Sequence, residues 1–210
     1  MSSLKPEIDR LFSEADRLAQ RRDLAGATRC YREVLELPEI ERQEPLVAEC
    51  AHWGLAELSL QSRETERAEE HLKQAIRLNP EEASYPQELG SLYNFLARFD
   101  LAIPELEKSL RLRPDHPETV HLLGWVLFMS GERARGRQLL QYAMELDDCD
   151  TAILNDLAVC LVEDGKLEQA LTLVERACTI DPRSQLLKSF RELILRRKKQ
   201  KAPPRGGASG

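Results

Sequence analysis

At 210 residues and a formal net charge of −6, the chain is 42% apolar, 31% charged and only 5% aromatic. That is the Ala/Leu/Glu/Arg-rich texture of stacked helices with solvated outer faces, and one elongated domain accommodates it. No apolar run approaches the roughly 18 residues that cross a bilayer, and residues 1–7 lead into charged helix without a secretory apolar stretch, so the expectation is a soluble cytoplasmic protein with no membrane span.

In chain order, Ile8, Glu14, Ala15, Leu18, Ala27, Tyr31 and Val34 open a degenerate helix pair that ends at Leu37-Pro38. Residues 39–47 lengthen the step to the next start, which predicts a longer turn or an extended helix and sets residues 1–48 apart as a helix pair with its connecting segment. From Glu49 the pattern becomes regular. The same order of small and large apolar residues restarts at Ala83, Pro117 and Thr151, each 34 residues after the last, giving repeats over 49–82, 83–116, 117–150 and 151–182.

Each copy has a packing logic. The seventh and eighth places read Leu55-Ala56, Leu89-Gly90, Leu123-Gly124 and Leu157-Ala158, a large residue beside a small one that lets two helices approach. A second helix keeps small residues at the twentieth place (Ala68, Ala102, Gly136, Ala170) and the twenty-seventh (Ala75, Ser109, Ala143, Ala177), with Leu72, Leu106, Leu140 and Val174 between them. Asn79-Pro80, Arg113-Pro114 and Asp181-Pro182 close repeats where proline stops one helix and presets the next. Gly131 and Gly165 fall where a first helix must end, a place suited to a left-handed residue.

After the last repeat, Leu186, Leu187, Phe190, Leu193 and Ile194 take helical spacing within 184–200. They predict a capping helix over 183–200 that covers an otherwise open end, followed by a disordered tail over 201–210. From Arg183 onward nine Lys and Arg face one Glu, a charge of +8 that leaves −14 for the rest. The basic run 196–201 is read first as a solvated helix end whose cations favour the C-terminal dipole. Contact with nucleic acid or an acidic surface is the alternative.

The chemistry-bearing residues make no site. Cys30, Cys50, Cys149, Cys160 and Cys178 are odd in number and follow no pairing or metal-ligand spacing, as suits a reducing compartment. Four of them fit helix patterns as apolar fillers; Cys149, among aspartates, is the exposed one, its pKa raised. His52, His71, His116 and His121 are scattered, and neither a phosphate-binding glycine loop nor a nucleophile elbow is present. No catalysis, metal, cofactor or small-molecule substrate is expected.

These repeats resemble the tetratricopeptide repeat family from Ile8 to Pro182. The resemblance implies an all-α, right-handed superhelical solenoid of antiparallel helix pairs with a C-terminal capping helix, and a function that lives on the concave wall made by the first helix of each pair. That wall is expected to carry Trp53, Glu57, Leu60, Gln87, Ser91, Asn94, His121, Trp125, Phe128, Asn155, Val159 and Val162, with Phe12, Asp16 and Ala19 ahead of them and Phe95 and Met129 widening an apolar floor. Some members of the family clamp a chaperone's C-terminal carboxylate with Lys, Asn and Arg. The corresponding places here are Phe12, Asp16, Gly54, Ser84 and Glu88, without a Lys or Arg. The implied role is a non-catalytic adaptor, scaffold or dedicated chaperone that holds a polypeptide against an apolar patch, centred on Trp125, Phe128, Met129 and Val159. Nucleic acid is disfavoured as a partner, and self-association is compatible with an apolar groove.

Overall fold

The computed structural model describes residues 4–201. Among them every regular element is a helix: α1 (Lys5–Gln20), α2 (Leu24–Glu36), α3 (Ile40–Gln43), α4 (Pro45–Gln61), α5 (Thr65–Leu78), α6 (Ser84–Phe95), α7 (Phe99–Leu112), α8 (Pro117–Ser130), α9 (Arg133–Leu146), α10 (Thr151–Glu163), α11 (Leu167–Ile180) and α12 (Gln185–Lys201). The expected tail from residue 202 onward lies outside the described residues. The chain divides into two compact units, residues 1–114 and 115–210.

In the N-terminal unit, α1 pairs with α2, α4 with α5, and α6 with α7, while α2 also packs on α4 and α5 on α6. The repeated leucines fill this stack: Leu55, Leu72, Leu89 and Leu106 are each 1% exposed or less. Ser109 turns its place in the alanine register to use, donating from Oγ to the Ala83 carbonyl at 2.8 Å in the interior. Residues 39–47 do two things at once. Three residues after α2, they form the single turn α3, which buries Ile40, and they then begin α4 at Pro45, four residues ahead of Glu49.

In the C-terminal unit, α8 pairs with α9 and α10 with α11, α9 packs on α10, and α12 lies on α11. Glycines set the closest approach. A Cβ on Gly136 would stand 2.5 Å from the Phe128 nitrogen and 2.6 Å from the Gly124 carbonyl oxygen. The two backbones touch there, so no side chain fits between α8 and α9. On α12, Leu187 and Ile194 are buried against α10 and α11, with Phe190 packed beside them. Leu186 and Leu193, expected on the same face, point outward at 71% and 44% exposure, because an interval of seven residues from Leu187 to Ile194 leaves the preceding residue of each on the far side.

The first helices end alike. Arg63, Ala97, Gly131 and Gly165 follow each other at the repeat interval and all have positive φ, of 59°, 54°, 106° and 76°; Arg22, after α1, has 62°. After α4 the Glu64 N–H reaches back to the Ser59 carbonyl at 2.8 Å, after α6 the Arg98 N–H to Tyr93 at 2.8 Å, and after α10 the Lys166 N–H to Leu161 at 2.8 Å. These bonds satisfy carbonyls that a helix end would leave open.

Candidate binding faces

The first helices α1, α4 and α6 of the N-terminal unit carry its expected binding residues. Trp53 is half-buried, its ring 5.0 Å from that of Tyr85 and tilted by 38°. Tyr85 is fixed in turn, since its hydroxyl donates to the buried Glu49 carboxylate at 2.6 Å while Asn79 Nδ2 donates to the same oxygen at 2.9 Å. Burial, and then the Glu49 carboxylate, push the Tyr85 phenol well above its ordinary value. One helical turn beyond Trp53, Glu57 is exposed, yet the protein around it displaces enough water to raise its carboxyl pKa. Gln87, Ser91 and Asn94 are half-buried along α6, and Phe95 ends it at 75% exposure, the most exposed large apolar side chain among the described residues.

Nearer the N-terminus, Phe12 meets Tyr31 edge to face at 5.6 Å. Tyr31 lies across Gly54, where a Cβ would stand 2.5 Å from the ring. Desolvation first, and the Asp16 carboxylate second, push the Tyr31 phenol up to about 12. Beside Phe12 a cleft of about 470 Å³ opens between α1 and the start of α4, lined by Ile8, Asp9, Phe12, Ser13, Asp16, Leu46, Val47 and Cys50. Its apolar residues and two aspartates are joined by no Lys or Arg. Leu46 and Val47 were not among the expected residues, because 39–47 reads as a connection. Pro45 followed by Leu-Val-Ala was the available signal, a proline at the first position of a helix. Cys50 also departs from expectation: it is exposed, not an apolar filler, since it faces this cleft.

In the C-terminal unit the expected apolar patch is partly closed. Phe128 is 6% exposed, packed with Leu140, Leu157 and Leu161 and covered by the Arg133 guanidinium 5.5 Å from its ring centre. That ring belongs to the core, which corrects its place on the wall. Val162, at 8% exposure, is core as well. Trp125 stacks on Phe128 at 6.2 Å and remains half-buried, while Met129 is 47% exposed. Asn155 and Val159 are half-buried on α10. His121 Nε2 lies 2.9 Å from Asp156 Oδ2, a neighbour that the sequence order did not suggest.

Other polar groups are accounted for locally. Cys149 is exposed, and its thiol is held above the ordinary value by the Asp148 carboxylate that accepts from it at 3.2 Å. Cys160 is buried and pushed up to about 12 by desolvation. His52 and His71, scattered in sequence, meet with Nδ1 atoms 3.1 Å apart. No group of three or more His, Cys, Asp or Glu among the described residues could hold a metal ion, and no helix there is long and apolar enough to cross a membrane.

Stacked helical hairpins with small residues at their crossings and exposed residues along the first helices define a repeat scaffold for protein interaction. Tetratricopeptide repeat models match residues 12–85 and residues 87–116, and the chain is a tetratricopeptide repeat protein. Among solved structures it is similar to YrrB, described as a TPR protein with an unusual peptide-binding site, at a TM-score of 0.70 and 20% identity, covering 87% of this chain and 90% of that one. A MamA protein aligns at 0.71 and 17% identity, over 83% and 92% of the two chains. A tetratricopeptide repeat protein from Parabacteroides merdae aligns at 0.80 and 14% identity, over 92% and 74%. Curated relatives include the human Protein O-mannosyl-transferase TMTC3, 25% identical over 72% of this chain and 17% of that protein. The BBSome complex member BBS4 of Bos taurus is 26% identical over 52% of this chain and 21% of that protein. The chain thus spans about a fifth of the length of these curated relatives, and the likeness to the solved structures is one of fold.

Proposed function

We propose that this protein is a non-catalytic adaptor or dedicated chaperone that holds a polypeptide segment on the first-helix face of its N-terminal unit. The observation that carries this reading is the cleft between α1 and α4. Its volume of about 470 Å³ is that of a few side chains, its lining joins Ile8, Phe12, Leu46 and Val47 to Asp9 and Asp16, and it holds no cation. Such a cleft suits a segment with an apolar anchor flanked by Lys or Arg. The absence of Lys and Arg from the carboxylate-clamp places disfavours a free chain end as the ligand. In the C-terminal unit Trp125, Met129, Asn155 and Val159, with His121, form a second and smaller contact face on this reading.

A peptide-library selection followed by titration tests the proposal. Selected segments should carry an apolar anchor beside basic residues and bind at micromolar affinity, about 8 kcal/mol. Leu46→Asp and Asp16→Lys should each weaken them about tenfold or more, with melting temperature unchanged. Trp125→Ala and Phe95→Ala report in the same way on the remaining first helices. The competing reading is a nucleic-acid- or acidic-surface-associated factor that uses the basic C-terminus. It predicts instead that peptide selection fails and that salt-sensitive nucleic acid binding disappears with residues 196–210.

A further inference from the structure

On the side of α4 away from Trp53 and Glu57 lies a larger cleft, of about 690 Å³, walled by α2 and α5. At 100° per residue, Leu55, Leu58, Ser59 and Ser62 leave α4 about half a turn from Trp53, so this cleft and the proposed polypeptide face do not share side chains. The walls are basic. Arg29 and Arg32 come from one face of α2, Arg67 and His71 from one face of α5, and Thr28, Ser59 and Ser62 add hydroxyls. Arg67 is paired with Glu64, the single carboxylate of the lining, at 2.5 Å, whereas Arg29 and Arg32 make no ion pair among the described residues. Three arginines around one glutamate are the reverse of a chain whose overall charge is −6.

We infer that this cleft binds a small organic phosphate, its phosphate held among Arg29, Arg32 and Arg67 and its apolar body laid on Leu24 and Ala25. Guanidinium groups present forked donors that match phosphate oxygens, and hydroxyls complete such a shell. The cleft is far larger than a bare phosphate and lies within the usual range for small-molecule sites, roughly 300–1,000 Å³. Leu24, half-buried, and Ala25, exposed, supply an apolar stretch of wall that an inorganic ion cannot use, while Leu55 and Leu58 lie beneath it in the core. His71 stands inside the same field. Burial lowers its pKa first, Arg32 and Arg67 add to the lowering, and Glu70 opposes it; His52 faces it from α4, with Glu41 and Arg77 behind. An anion between those arginines cancels their effect on the imidazole, so binding raises the His71 pKa.

The test uses the full chain with inorganic phosphate and phenyl phosphate as probes, followed by NMR of backbone amides and of the His71 imidazole. Saturable shifts should centre on residues 24–32 and 58–71, the His71 pKa should rise, and phenyl phosphate should bind about tenfold more tightly than inorganic phosphate, for the area of one buried ring. Arg32→Glu and Arg29→Glu, both on exposed positions, should each weaken phenyl phosphate about tenfold or more without lowering the melting temperature. Arg176→Glu, in the other unit, should change nothing. Shifts that do not saturate, equal affinity for the two probes, or affinity that survives Arg32→Glu would each overturn the inference. Loss of peptide binding by Leu46→Asp leaves all of these readouts unaffected, so the two sites fail separately.

Discussion

At the scale of single residues, the His52–His71 contact makes an acid-sensitive point in the N-terminal unit. Burial lowers both imidazoles below their ordinary value, and in His52 the facing His71 adds to this while Glu41 opposes it. An unfolded chain takes up these protons near pH 6.5, whereas the folded chain resists until lower pH. Their contribution is therefore fully present above about pH 6.5 and is lost as pH falls below it. Glu69 lies in the opposite sense of cause: the Lys73 hydrogen bond chiefly, with Tyr93 and Arg98, lowers its carboxyl, so its contribution is present above the unfolded glutamate value and is lost as pH falls from there through the lowered folded one. Urea unfolding at about pH 7.5 and 5.5 should show wild type losing stability between them, and His52→Gln with His71→Gln should flatten that loss. An unchanged slope would mean that the pair does not titrate as its surroundings require. A second residue-scale expectation concerns Ala97, which takes a φ of 54° that suits glycine. Ala97→Gly should stabilise by about 0.5–1 kcal/mol in urea unfolding, because relief of the Cβ clash outweighs the added freedom of the unfolded chain.

At the scale of helices, crossings decide what each position tolerates. Gly136→Ala improves intrinsic helix propensity by about 1 kcal/mol, yet its methyl meets backbone at 2.5 Å and cannot be relieved by a rotamer change. The net expectation is a loss of about 1–3 kcal/mol, read from urea unfolding. This is also where the sequence was most legible. Small residues at the eighth, twentieth and twenty-seventh places return because two backbones must approach there, and that constraint leaves few choices. The left-handed helix ends were legible only at Gly131 and Gly165. Arg63 and Ala97 accept the same backbone at a cost, so nothing in their side chains announces it. Phe128 was misread for a related reason. Its place in the repeat lies at the edge of the first-helix face, and whether such a ring turns outward or onto Leu157 and Leu161 depends on the neighbouring helix. The helical spacing of α12 was clear, but with leucines at 186, 187 and 193 beside Ile194 the pattern allowed two rotations. Packing chose the one that buries Leu187 and Ile194.

At the scale of the whole molecule, each compact unit carries a core of its own. Residues 1–114 bury Leu55, Leu72, Leu89 and Leu106, and residues 115–210 bury Leu140, Ile153, Leu154, Val174 and Ile194, none of these more than 1% exposed. Stability in repeat proteins is a sum over units and their nearest-neighbour packing rather than a property of one centre. The C-terminal unit is closed at its end by α12, which covers the apolar side of α10 and α11. It should accordingly fold when produced alone as residues 115–210, with helical circular dichroism and a cooperative melt, a size at which single domains are commonly stable. Within that fragment Ile194→Ala should cost about 2–4 kcal/mol, since a fully buried branched side chain leaves a cavity, while Leu193→Ala beside it should stay within about 0.5 kcal/mol. The same pair of substitutions in the full chain should give the same two values, because both lie in one compact unit. A fragment without cooperative melting, or a Leu193→Ala loss equal to that of Ile194→Ala, would show that α12 does not close the unit in the register that its buried residues define.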